Sequence, residues 1–325
     1  MSIKVEDYLI KLEDEIGSRR TFHDGSTMLF ADNLKKRECF SGCSRNELEV
    51  AELPSGLRLY LKRFYNDDET SKGCISNEVV FSRLYNALGV NAVKYYPLIL
   101  NGQSENENYG KDVAIASQDL NMVTGLNIDY FRTQHNFYRY IREYTYKLAK
   151  LIENQDKFYD KCQSGDELVK SRMLLANFIK TGLLDIMCMM IDNHLGNKCV
   201  VKRNGARTAE DIISFDLEDS AIDNFNNCTY EDFKCQLEND TKMFSGFITI
   251  DGKRGTYMNF LYKIKKLIES GNLPIECIEL FEKLNSLNFD NLLNSVESET
   301  GLIIPSNKKD WYKKLIDINQ QTFLQ

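Results

Sequence analysis

The chain has 325 residues, 42% hydrophobic and 27% charged, the composition of an ordinary globular protein with room for one large domain or two lobes. A net charge of −7 argues against nucleic acid as the main partner, because a phosphate backbone is held by a basic surface. Nine cysteines, an odd number, show no CxxC pair and no finger spacing, so they read as reduced thiols rather than a disulfide frame or zinc site.

The first residues, MSIKVEDYLIKLEDEIG, put Val5, Tyr8, Leu9, Leu12 and Ile16 at helical spacing, with Gly17 as a stop. Acidic residues interrupt what would be the apolar segment of a cleavable signal, and no window reaches the roughly 18 uncharged apolar residues of a membrane span. The expectation is a chain made as a soluble cytoplasmic protein, with any export by a route other than a cleavable signal. From residue 36 the pattern turns strand-like: KRECF, LEVAEL and LRLYLKRF read as three antiparallel strands, the last two joined by the turn Pro54-Ser55-Gly56. Residues 76–89 form a predicted helix that Gly89 ends, and two further strands follow at 94–100 and 112–117, separated by the polar loop 101–110.

Beyond residue 120 helical spacing dominates, over 134–159, 166–191 and several stretches from 256 to 325. The one β signal expected there is the hairpin KCVVK and DIISF, turned by Arg203-Asn204-Gly205-Ala206. The fold class expected is therefore α+β and bilobal: an antiparallel β-sheet lobe with one helix over 1–119, then a mostly helical lobe over 120–325. Near the end, Lys308, Lys309, Lys313 and Lys314 surround Trp311 and Tyr312, a pattern for a surface helix whose aromatic side packs inward.

Phosphoryl transfer from ATP needs a cation on the phosphates, a partner that positions it, metal ligands, and a group that orients the attacking hydroxyl. Each has a candidate in a workable order. Lys62, on the third strand, would reach the α and β phosphates, and Glu78, in the helix that follows, would hold Lys62 as an ion pair. Asp192, after a long apolar helix, would orient the substrate hydroxyl or accept its proton. Asn197 would offer an amide oxygen to Mg²⁺ and Asp216, after the hairpin, a carboxylate; a hard, oxygen-seeking ion suits that set. Taken singly, Lys62 reads as a solvated strand-end lysine, Glu78 as an acid favoured at a helix start, and Asp192 and Asn197 as turn residues. Their joint order is what the bland readings do not explain. His194 is read as a hydrogen-bond partner in the loop, with no chemistry, and Asp219 as an alternative ligand to Asp216.

The order strand Lys, helix Glu, D-x4-N loop, hairpin, Asp resembles the protein-kinase-like fold over about residues 36–220. Its loop, Asp192-Asn193-His194-Leu195-Gly196-Asn197, resembles the D-x-H-x-x-N form of the phosphatidylinositol-kinase and HipA branch, and with SFDL after it is most similar to HipA-like bacterial Ser/Thr kinases. The resemblance implies an ATP- and Mg²⁺-dependent Ser/Thr protein kinase that autophosphorylates, and a secreted pro-inflammatory effector that enters host cells and meets a host protein there. It also implies that SGCSRNE (41–47) covers the phosphates through Ser41, Gly42 and Ser44, and that adenine lies beside Ser117 at the end of the strand 112–117. The chain departs from the eukaryotic pattern in having one glycine in that loop, Leu-Glu after Asp216, and no A-P-E segment. Two rivals share these residues: a small-molecule or lipid phosphotransferase on the same fold, and a non-catalytic kinase-like effector that acts by binding.

Overall fold

A strand turns successive side chains to opposite faces, so within Arg58–Phe64 the residues Leu59 and Leu61 share one face while Lys62 and Phe64 share the other. The computed structural model describes residues 3–40, 46–64, 68–100, 107–122, 125–144, 147–162, 165–192, 194–206, 209–225, 228–241 and 249–324. In it this strand is β5 of a seven-stranded sheet. The others are β1 (Arg19–Thr21), β2 (Thr27–Phe30), β3 (Lys35–Phe40), β4 (Asn46–Glu52), β6 (Tyr96–Ile99) and β7 (Val113–Gln118). They lie in the order β1-β2-β6-β7-β5-β4-β3, antiparallel except for the parallel pair β2 and β6. Five of these strands were expected. The additional hairpin, β1 and β2, is too short and too polar at its ends to leave an alternating pattern.

Leu59 and Leu61 join Leu29, Leu98, Ala114 and Ala116 in a small core closed by Leu12 of α1 (Leu12–Ile16). Phe64, Val113 and Ile115 belong to the main core, together with Ile75, Val79, Leu84 and Tyr85 of α2 (Asp68–Ala87). Lys62 therefore faces α2, the helix that carries Glu78. This helix begins eight residues before the expected start, because its first turns lack apolar periodicity and are held by tertiary contacts. Residues Tyr109–Asp112 form the one-turn helix α3, whose Gly110 N–H donates to Oδ1 of Asn108 at 2.8 Å.

The second half opens with β8 (Leu126–Tyr130), which pairs with β9 (Lys198–Arg203); β9 in turn pairs with β10 (Asp211–Ser214) in a three-stranded sheet. The hairpin was expected and β8 was not: LNIDY alternates apolar and polar residues, but a five-residue run with one fully buried side chain is a weak signal beside the helical stretch that follows. The stretch 134–159 divides into α4 (His135–Glu143), α5 (Leu148–Glu153) and α6 (Gln155–Tyr159). Then come α7 (Gly165–Met187), α8 (Tyr230–Asn239), α9 (Tyr257–Glu269), α10 (Ile275–Ser286), α11 (Phe289–Thr300) and α12 (Ser306–Leu324). The second half of α7 is buried, each core leucine or phenylalanine there contributing about 1.5–3 kcal/mol by leaving water. Among the described residues no helix is long and apolar enough to cross a membrane.

The last two helices return to the first half. Thr27 N–H donates to the Gly301 carbonyl at 2.8 Å, and Ile303 N–H to Oγ of Ser26 at 2.9 Å. Glu299 of α11 pairs with Arg83 of α2 at 3.1 Å and accepts from the Tyr96 hydroxyl at 3.0 Å. Trp311 and Tyr312 pack inward as expected, but Lys308, expected on the surface, is 4% exposed.

Candidate active site

Glu78 is fully buried on α2, and its Oε1 lies 3.2 Å from Nζ of Lys62. The same ammonium also contacts the carboxylates of Asp216 and Glu218. Burial opposes the charge of Lys62, yet Glu78, Glu218 and Asp216 together hold it well above the usual lysine range. Burial pushes Glu78 above the ordinary carboxylate range, against the pull of Lys62, and does the same to Glu218. With all three carboxylates ionised the single ammonium leaves a negative surplus, and a further cation would favour that ionised state.

Asp216 is delivered by the end of β10 and adopts a left-handed backbone conformation, with φ 62. That conformation costs a residue with a Cβ about 1–2 kcal/mol, and aspartate is one of the types that tolerate it. Its N–H donates to the Tyr95 hydroxyl oxygen at 3.1 Å. The next N–H, of Leu217, donates to Oε2 of Glu78 at 2.8 Å. Glu78 thus holds Lys62 with one oxygen and the segment after Asp216 with the other.

The D-x4-N loop begins where α7 ends. Met189, at φ 57, stands in the left-handed position that usually follows a helix, and Met190 N–H bonds back to the Asp185 carbonyl at 2.8 Å. Ile191 N–H then donates to the Asp219 carbonyl at 2.9 Å, tying the loop to the segment after Asp216. Nδ2 of Asn197 donates to the backbone oxygen of Asp192 at 2.9 Å and to its Oδ2 at 3.3 Å. That leaves Oδ1 of Asn197 as the atom able to meet a cation. Nε2 of His194 lies 3.4 Å from Oδ1 of Asp192, and a Cβ on residue 196 would stand 2.6 Å from the His194 ring, so a side chain there would push the ring from this position. Beneath the loop, Lys198 pairs with Asp185 at 2.8 Å, and the Tyr85 hydroxyl donates to the other oxygen of Asp185 at 2.6 Å. Asp192, Asn197, Asp216 and Asp219 line one cleft, with Asp185, Lys198, Met190, Phe215 and Leu217 as its remaining wall.

A crystal structure of a Helicobacter pylori proinflammatory kinase, CtkA, is similar over 92% of this chain and 99% of that one, with a TM-score of 0.54 and 12% identity. The fold is kinase-like and bilobal. The HipA, HipB and operator DNA complex of Shewanella oneidensis MR-1 is similar over 99% of this chain and 70% of its counterpart, with a TM-score of 0.45 and 14% identity. No protein-family model and no curated protein matches the sequence.

Of the residues singled out from sequence, the fold brings Lys62, Glu78 and Asp216 into contact and sets Asp192 and Asn197 on the cleft that Asp216 lines. Ser117 is buried on β7 opposite Tyr60 and is not among the residues lining that cleft. Ser41, Gly42 and Ser44 lie outside the described residues. Glu218 escaped the sequence reading because β10 ends at Ser214 and Asp216 takes a left-handed conformation, so no strand period extends to position 218. Carboxylate oxygens of Glu78, Asp216 and Glu218 lie within 4.8 Å of one another, a hard-oxygen set that fits Mg²⁺.

Proposed function

We propose that this cleft transfers the γ-phosphoryl group of ATP, with Mg²⁺, to a Ser/Thr hydroxyl of a protein, the chain itself included. The observation that carries the reading is the meeting of Lys62 with Glu78 and with Asp216, which lines one cleft together with Asp192 and Asn197. Bound there, ATP supplies the transferable group and Mg²⁺ neutralises charge on its phosphates. Asn197 Oδ1 and Asp216 would hold the metal, with Glu218 as a further carboxylate. Lys62 turns its ammonium to phosphate oxygens while Glu78 keeps the side chain aligned. Asp192, held by Asn197 and neighboured by His194, accepts the hydrogen bond of the acceptor hydroxyl and takes its proton. In this proposal residues 1–119 form the phosphate-binding lobe and 120–325 the lobe that carries the loop and metal ligands. Ser41, Gly42 and Ser44 are assigned to the phosphates and Ser117 to adenine on sequence grounds.

The test is incubation of purified protein with γ-labelled ATP and Mg²⁺, beside Asp192→Ala, with protein, lipid and aminoglycoside acceptors offered separately. Label on the wild-type chain or a protein acceptor, and none with Asp192→Ala, is the expected result. Label on lipid or aminoglycoside alone would make it a small-molecule phosphotransferase, and failure to bind nucleotide would leave a binding effector. The similar H. pylori protein is described as a proinflammatory kinase, and on the resemblance of the sequence the proposal extends to a secreted effector acting on a host protein. Delivery into host cells should raise inflammatory signalling with wild type and not with Asp192→Ala.

A further inference from the structure

Gly73 lies inside α2, where glycine weakens a helix. The reason comes from the far end of the chain. A Cβ at position 73 would stand 3.2 Å from both Cε and Nζ of Lys308, which enters from α12 and is buried there. The Lys308 ammonium donates to the Gly73 carbonyl at 2.8 Å and to Oδ1 of Asn77 at 3.0 Å, and it pairs with Asp223.

Asn77, fully buried and one residue before Glu78, has each hydrogen-bonding position filled. Its Oδ1 accepts from Lys308 and from the Tyr312 hydroxyl at 2.5 Å. Its Nδ2 donates to Oδ2 of Asp223 at 2.8 Å and to the backbone oxygen of Glu218 at 2.6 Å. Two donors meet the amide oxygen and two acceptors meet its nitrogen, so the amide has one orientation. Through this side chain α12 grips both the helix that carries Glu78 and the segment that carries Asp216 and Glu218.

We infer that α12 is a positioning clamp for the candidate active site: Lys308 and Tyr312, acting through Asn77 and Asp223, set the register of α2 against residues 216–218. The catalytic consequence rests on the phosphotransfer reading; the clamp itself does not. Lys308 and Tyr312 are positioning residues, working through the bond between Leu217 N–H and Glu78 and through the Lys62 contacts of both segments.

The experiment compares Gly73→Ala, Tyr312→Phe and Lys308→Met with wild type, and uses Lys313→Met as a control, since Lys313 pairs with Asp290 at the surface. Three quantities are read: hydrogen exchange at the Leu217 amide, kcat and KM for ATP with Mg²⁺, and the unfolding temperature. The clamp predicts that protection of Leu217 falls by about tenfold or more in Lys308→Met while the most protected core amides change less. It predicts a fall in kcat of about 10- to 100-fold, exceeding any rise in KM, because small displacements at a reacting site have effects of that size. Gly73→Ala should show the same direction even though alanine favours the helix, so lost helix propensity cannot be the cause. Unchanged Leu217 protection in Lys308→Met, or an equal loss in Lys313→Met, would overturn the inference. So would a lowered unfolding temperature with kcat intact, which marks a purely structural contact. If wild type neither binds nor transfers phosphate, the functional reading fails, and Leu217 exchange still decides the clamp.

Discussion

Lys198→Met is the perturbation that asks most of the ground beneath the site. The Lys198 side chain is 2% exposed and that of Asp185 1%, and the carboxylate has the Tyr85 hydroxyl as its second partner. Removing the ammonium leaves a buried carboxylate with one neutral donor, and breaking such a pair by removing one partner costs about 3–5 kcal/mol. Whole proteins are stable by about 5–15 kcal/mol, so this is a large share. With a urea slope of about 3 kcal/mol/M, the unfolding midpoint should fall by about 1–1.7 M. Adding Asp185→Asn removes the stranded charge while the amide oxygen still accepts from Tyr85. The double variant should therefore recover much of the loss, with a coupling of about 2–3 kcal/mol between the sites. Urea melts of wild type, both single variants and the double variant, in one buffer, measure this directly. Additivity within about 0.5 kcal/mol, or a wild-type midpoint for Lys198→Met, would refute the reasoning.

Two further outcomes follow from named contacts. Burial tends to raise the pKa of Asp24, but hydrogen bonds from Lys72, Tyr109 and Ser26 outweigh it and bring the group down to about 2. A depressed acid contributes stability above its unfolded value near 4 and loses it as pH falls through about 4 to 2, so wild type should lose its advantage over Asp24→Asn across that window. Asp24 is partly exposed, and screening reduces the effect to the order of 1 kcal/mol; a difference between the two proteins that stays constant with pH would contradict it. Glu218→Gln should raise the Mg²⁺ concentration for half-maximal nucleotide binding by about tenfold, the scale of losing a group at a metal site. Calorimetric titration reads this, and an unchanged Mg²⁺ requirement would remove Glu218 from the ligand set.

The parts of the fold legible in the sequence were those in which local pattern and tertiary role agree. Alternation in LRLYLKRF put Lys62 on the face opposite Leu59 and Leu61, and the helix after it carried Glu78, so a contact between them could be expected before the 3.2 Å distance was known. The long apolar helix, the D-x4-N loop and the hairpin before Asp216 were readable for the same reason. What escaped has no local signature. The hairpin β1 and β2 contributes few buried residues, and β8 is short with a single fully buried side chain. Asp185 and Lys198 look like an ordinary helix position and an ordinary strand position until the fold sets them 2.8 Å apart. Gly73 reads as a helix breaker, and Lys308 as one of a run of surface lysines; their bond joins positions 235 residues apart. No period in either segment encodes it.

The most direct test of the central claim is Mg²⁺-dependent ATP binding and γ-phosphoryl transfer, measured side by side for wild type, Asp192→Ala and Asp216→Ala. If Asp192 acts on the acceptor hydroxyl and Asp216 on the metal, Asp192→Ala keeps ATP binding within about threefold of wild type while transfer slows by about 10²–10⁴-fold. Asp216→Ala then loses the metal-dependent part of binding as well. Transfer by Asp192→Ala at the wild-type rate, or ATP binding by wild type that is indifferent to Mg²⁺, would contradict the account.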